Sequence, residues 1–179
     1  MAKYLRVILF IIYPAAAVRY FLGEPFSMFF ALSLHILTAI IWVGGMFFAY
    51  VCLRPVAVKL LEPPLRLRLW IGTFQRFFLF VWLAIVLLPV TGWYMADRSY
   101  GGLAAVPAAV LFMAGIGTLM ILLYLHVFFA PYRRLRRSVA VGDFKEGIRQ
   151  LARIRRIIGI NTLLGIVVVL AAVAARTLS

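Results

Sequence analysis

The sequence predicts an all-α integral membrane protein, an antiparallel bundle of four core transmembrane helices with a hydrophobic helix at the N-terminus. Three observations lead there. The 179 residues are 66% hydrophobic and 13% charged, against roughly 45–50% and 25% in a soluble domain. Four stretches carry no charge: Pro25 to Leu53, Phe77 to Ala96, Ser99 to Tyr132 and Ile157 to Ala175. Nineteen Lys and Arg stand against five Asp and Glu, a net charge of +14, and most of them lie between those stretches.

A spanning helix needs about 20 apolar residues at about 1.5 Å each. This places spans near Ser27 to Leu53, Phe77 to Ala96, Ala104 to Ala130 and Ile157 to Ala175, with the turn Tyr100-Gly101-Gly102 ahead of the third-to-fourth crossing. Residues 1–23 form a separate hydrophobic unit, and 24–179 the bundle. Within the first unit, Val7 to Val18 is closed by Arg6 and Arg19 and interrupted by Pro14, so it spans only if both arginines snorkel. The competing signal-peptide pattern, Lys3 and Arg6 before a short apolar run ending in Ala15-Ala16-Ala17, is set aside for an uncleaved helix.

With the N-terminus inside, sixteen basic residues fall on the inner side and only Arg19, Arg98 and Arg176 outside, as the positive-inside rule expects. Most of the charge is therefore topological, and nucleic acid is not an expected partner. Multi-pass residence in the inner membrane, with basic loops 54–76 and 131–156 cytoplasmic, follows. Arg133, Arg134, Arg136 and Arg137 suit anionic lipid headgroups. In loop 54–76, Glu62-Pro63-Pro64 breaks any helix and Leu65, Leu67 and Leu69 among arginines suit a headgroup surface. Asp143 is placed to cap a helix after Gly142, on which Phe144, Ile148, Leu151 and Ile154 oppose Lys145, Arg149, Arg153 and Arg156. That amphipathic segment would lie at the interface and run into the last span.

Function is bounded first by what the spans lack. None contains Asp or Glu, and Cys52 is the single cysteine. A carboxylate proton relay, a hard-cation site, hydrolase chemistry and a disulfide are thereby excluded. The polar inventory is His35 and Thr38 in the first core span, Thr91 in the next, Thr118 and His126 in the third, and Asn161 with Thr162 in the last. At 100° per residue, Met28, His35, Trp42 and Met46 share one stripe. Imidazole and thioether on one face suit Cu(I), and imidazole suits haem iron; equally, Met fills gaps and a histidine bonds across a helix interface. His126 lies twelve residues off the level of His35, about 18 Å at helical rise, so the two rings are not expected on one iron. Gly115 stands level with His35. Asn161 matches the depth of His126, and a structural His126–Asn161 hydrogen bond, direct or water-bridged, is expected.

Leu34-His35, then Trp42-Val43-Gly44-Gly45-Met46 and Leu53-Arg54-Pro55, followed by Thr91-Gly92, Tyr124-Leu125-His126 and Arg155-Arg156 before Asn161, resemble the copper resistance protein D (CopD) superfamily. The HemJ-type protoporphyrinogen oxidases look more distantly similar. The resemblance covers about Ser27 to Ala175. It implies a bacterial inner-membrane bundle linked to copper uptake or tolerance or, on the HemJ side, a haem held by the first histidine and a lysine; no lysine stands near Gly115.

The resulting expectation is copper handling with metal contacts at His35, Met28 and Met46. One alternative is a haem b redox protein with His35 on iron and Trp42 and Gly115 beside the ring. Another is a non-catalytic subunit of a larger membrane complex or a homo-oligomer. The orientation is directly testable. In a Cys52→Ala background, Ser99→Cys should react with a membrane-impermeant maleimide in intact cells, and Arg137→Cys only after permeabilisation. The opposite pattern would invert the bundle.

Overall fold

The computed structural model describes residues 24–101 and 105–177, so the proposed N-terminal helix at 1–23 and the Gly102 to Ala104 part of the outer turn lie outside the described residues. Helix α1 (Glu24–Phe47) passes through a π-helical turn (Phe48–Leu53) into α2 (Arg54–Leu60). Helix α3 is Pro63–Tyr100. Helix α4 (Ala108–Val127) passes through a second π-helical turn (Phe128–Tyr132) into α5 (Arg133–Ala140), and α6 is Phe144–Thr177. Among the described residues there is no strand. Four helical runs are long and apolar enough to cross a membrane: Ser27–Leu60, Pro63–Tyr100, Ala108–Ala140 and Phe144–Ala175.

The breaks follow local chemistry. Leu61 and Glu62 are extended because a residue before proline is pushed out of the helical region, and Pro63 then starts α3, where its missing N–H costs nothing. Gly101 closes α3 at φ +70° and its N–H reaches Asp97 O at 2.9 Å. Gly142 turns the chain at φ +78°, and Asp143 Oδ1 accepts the Glu146 N–H at 2.9 Å, the expected cap. Both π-turns adjoin a proline, Pro55 just after the first and Pro131 inside the second. A wider turn accommodates a residue that cannot donate to the carbonyl one turn back.

The spans are 32 to 38 residues long, about 50 Å or more at helical rise, so they pass well beyond a hydrocarbon core of about 30 Å. The two basic connections are therefore largely helix. Leu67, expected among headgroups, is buried in the protein, as are Trp70 beside it and Leu151 and Ile154 of the amphipathic segment. Their apolar faces find each other before they find lipid, because α3 and α6 begin side by side: a Cβ on Gly147 would meet Leu67 Cδ1 at 2.9 Å.

Helix α1 packs along α3 and α4 along α6, while α6 also touches α1 and α3 and joins the two hairpins. Packing is densest at the basic end. Phe74 and Phe78 stack at 5.4 Å, Phe78 meets Tyr132 edge-on at 4.9 Å, and Trp82 meets Phe128 at 5.3 Å. Edge-to-face pairs of this kind add about 0.5–1.5 kcal/mol each beyond area burial. Trp42, Met46 and Met120 continue this core toward the far end. Phe29, Ile36, Leu83, Phe112 and Leu170 face outward, as lipid contact requires.

Gly165 sets how closely α6 approaches α1, since a Cβ there would lie 2.7 Å from Val43 Cγ2 and 3.3 Å from Met120 Cε. Val43 is stiff and short and cannot swing aside. Gly165→Leu should destabilise the fold by about 1–3 kcal/mol. Gly44→Leu, whose Cβ meets nothing, should stay within about 0.5 kcal/mol. Unfolding of the two variants in mixed micelles compares them, and equal losses would contradict the assigned contact.

Candidate functional site

His35 lies half-buried in the far half of α1, against the stretch of α3 around Pro89. Its Nδ1 is 2.8 Å from Thr91 Oγ1. The direction of that bond is fixed by the next one, since the Thr91 hydroxyl donates to Leu87 O at 2.6 Å. With its single proton spent there, Thr91 Oγ1 accepts from Nδ1–H of His35. With the proton on Nδ1, the neutral ring carries its lone pair on Nε2, the type of nitrogen a metal ion could take, with a hydrogen bond behind it. Gly92 lies beneath the ring: a Cβ there would come 3.4 Å from His35 Cε1, an ordinary van der Waals contact, so the imidazole rests directly on the α3 backbone with room for little more than a methyl group. Outward from His35, Tyr94 Oη donates to Ser27 Oγ at 2.7 Å, a second tie between the same helices.

The other expected contacts do not converge on this nitrogen. Met46 is eleven residues along the same unbroken helix, about 16 Å by helical rise, beyond the reach of two side chains sharing one ion. It is buried and accepts a hydrogen bond from Asn161 Nδ2 at 3.7 Å. Met28 is half-buried two turns outward of His35 on the same face. One helix cannot bend Met28, His35 and Met46 around a point, so a three-donor site within the chain is corrected to a line of separate donors. Among the described residues no three His, Cys, Asp or Glu side chains cluster for a metal.

Haem b does not fit between α1 and α4. Trp42 is 3% exposed and enclosed by core side chains, whereas Gly115 faces open surroundings with nothing within 4 Å of a built Cβ. Helix α4 packs on α6 and α3, and Gly115 lies on its exposed face, away from the core that encloses Trp42.

The expected His126–Asn161 hydrogen bond is also absent. Asn161 is buried and donates to Met120 O at 3.4 Å as well as to Met46. His126 points outward instead and lines a groove with Arg134, Gln150, Arg153 and Arg156. Asn161 stands level with Met120, six residues from His126 along α4 or about 9 Å at helical rise, and the two residues lie on different faces of their helices.

Sequence reasoning listed Thr91 and Gly92 without pairing them to His35. Depth was the available signal: Thr91 is fifteen residues beyond Arg76 and His35 nineteen before Arg54, which in antiparallel helices puts them within about 6 Å in height.

Comparison with known proteins bears on the same stretch. The profile of one family, copper resistance protein D (CopD), matches residues 71–175, more than half of the chain. The chain belongs to the CopD family. The matched region holds Thr91, Gly92, His126 and Asn161, while His35, Trp42 and Met46 precede it. CopD membership together with four membrane-length helices makes this a multi-pass membrane protein of a copper-resistance family. No curated protein and no solved structure matches the chain.

Since the two residues are unpaired, His126→Leu and Asn161→Leu should have additive effects on stability. The Asn161 change should cost about 0.5–2 kcal/mol, the scale of interhelical hydrogen bonds in membrane proteins. The exposed His126 should contribute less than about 0.5 kcal/mol. A coupling above that level in a double-mutant cycle would restore the pair.

Proposed function

We propose that this CopD protein handles Cu(I) within the bacterial inner membrane, in uptake or tolerance, and that His35 Nε2 is the contact made by the ion. The observation that carries this is the His35–Thr91–Leu87 relay, in which Nδ1 is committed at 2.8 Å and the hydroxyl behind it at 2.6 Å. The same bond that joins the helices leaves Nε2 as the nitrogen open to a ligand and holds the ring still, as metal-bound histidines require.

Copper is here the cargo. Cu(I) tolerates low coordination numbers and soft donors, and the chain offers those donors in sequence. Met28, nearer the far end, would meet the ion first and His35 would take it deeper. With the basic loops on the cytoplasmic side, that far end is the outer leaflet. A single nitrogen with loosely placed sulfur favours passage over storage, because an ion held by few ligands leaves readily. Met46, tied to Asn161, is left out of the path.

Competition with a chromophoric Cu(I) chelator tests this on the purified full chain. Wild type should hold about one Cu(I), and His35→Ala should hold none. Thr91→Val should bind about tenfold to a hundredfold more weakly, the usual effect of removing the group that orients a metal-bound histidine. Met28→Leu should slow loading with a smaller change in affinity. Stoichiometric copper retained by His35→Ala would overturn the assignment.

A further inference from the structure

At the basic end, between the second π-turn with α5 and the start of α6, lies a groove of about 310 Å³ lined by His126, Pro131, Arg134, Gln150, Arg153 and Arg156, with Ala130 and Ile157 on its apolar side. Its volume is at the lower edge of the roughly 300–1,000 Å³ common for small-molecule sites. Three guanidinium groups and an imidazole border it and no carboxylate does. Glu146, one turn along α6, is engaged elsewhere, paired to Arg149 and accepting from Gln150 Nε2.

Gln150 supplies an independent observation. It is 2% exposed, yet its Oε1 has no hydrogen-bond partner. The amide cannot be turned to cure this, because a carboxylate only accepts and so the NH₂ group must face Glu146. A buried acceptor left bare is costly, and a ligand that donates a hydrogen bond would recover that cost. The groove therefore asks for two things in one ligand, an anion for the arginines and a hydroxyl for Gln150.

We propose that this groove is a specific site for the headgroup of an anionic phospholipid that carries a free hydroxyl, of the phosphatidylglycerol type. The phosphodiester would lie among Arg134, Arg153 and Arg156 in charge-assisted contact, and the glycerol hydroxyl would reach Gln150 Oε1. Ala130, Pro131 and Ile157 would guide the acyl chains onto the lipid-facing wall. The arginine run is thereby divided. Arg133 lies over the Phe129 ring at 4.9 Å and Arg136 over Tyr132 at 6.0 Å, leaving Arg134 as the member that lines the groove. Two of its three arginines come from α6, not from the run next to the third core span.

Native mass spectrometry of the full chain in detergent, titrated with phosphatidylglycerol, phosphatidylmethanol and phosphatidylcholine, tests the site. One phosphatidylglycerol should be retained about tenfold more strongly than phosphatidylmethanol, which has the phosphodiester charge and no hydroxyl, and phosphatidylcholine should not be retained. Gln150→Leu should abolish the preference between the two anionic lipids. The triple change Arg134→Gln, Arg153→Gln, Arg156→Gln should lose the bound lipid, while Arg133→Gln, Arg136→Gln, Arg137→Gln should keep it. All six arginines but none of the packed core are altered, and Cu(I) binding through His35 should be unchanged in every variant. Equal effects of the two triple changes would overturn the site. Displacement of the lipid by millimolar inorganic phosphate would show that the ligand is a free anion and overturn the lipid assignment.

Discussion

A polar side chain inside hydrocarbon has no water to turn to, and this single constraint sorts the threonines and the histidine of the bundle whose hydrogen bonds are seen. Thr73, Thr118 and Thr162 are dealt with locally, each hydroxyl donating to the carbonyl four residues back, at Leu69, Ala114 and Ile158. Such residues ask nothing of other helices. His35 cannot do the same, because a neutral imidazole carries a donor and an acceptor on opposite sides of a ring. It must find a partner across an interface, and Thr91 is in the right place because its own proton goes to Leu87. The link fixes α1 against α3 in the far half of the bundle and, by the same act, leaves Nε2 bare. One hydrogen bond thus sets both a helix contact and which ring nitrogen is left open.

The unequal packing of the two ends gives that nitrogen its setting. The aromatic stack from Trp70 to Phe78 with Tyr124, Phe128 and Tyr132 makes the basic end rigid. The far half around His35 is tied by the Thr91 bond and by Tyr94 to Ser27. A glycine under the imidazole ring keeps the seat shallow. The π-turns belong to the same division, since both lie where the dense end begins and both adjoin a proline. Each carries its helix past a residue that cannot complete the ordinary ladder.

Helix α6 is the common wall of the bundle, and all three buried polar atoms lacking a partner among the described residues lie on it: Gln150 Oε1, Arg155 Nε and Asn161 Oδ1. It is the helix in contact with both hairpins, so its side chains answer to several neighbours at once and cannot satisfy every atom. Leftover hydrogen-bonding capacity is costly in a buried place. At Gln150 that cost falls beside a cationic groove.

The sequence by itself determined the all-helical class, the number of core spans, the break at Glu62-Pro63, the cap at Asp143 and the CopD kinship. All of these depend on local chemistry or on composition along one helix, which a linear string preserves. It also fixed that His35 and His126 stand at different heights, because rise per residue is constant. Which faces meet was decided only by tertiary structure. Depth alone paired His126 with Asn161, yet rotation about the helix axes turned one outward and the other inward. Met28, His35 and Met46 fell on one stripe, but a stripe is a line and a coordination sphere is a point. The match of Thr91 to His35, and the gathering of Arg134 with Arg153 and Arg156, depend on how two hairpins lean on α6, and that is settled by side-chain fit at glycines such as Gly165 and not by any pattern within one helix.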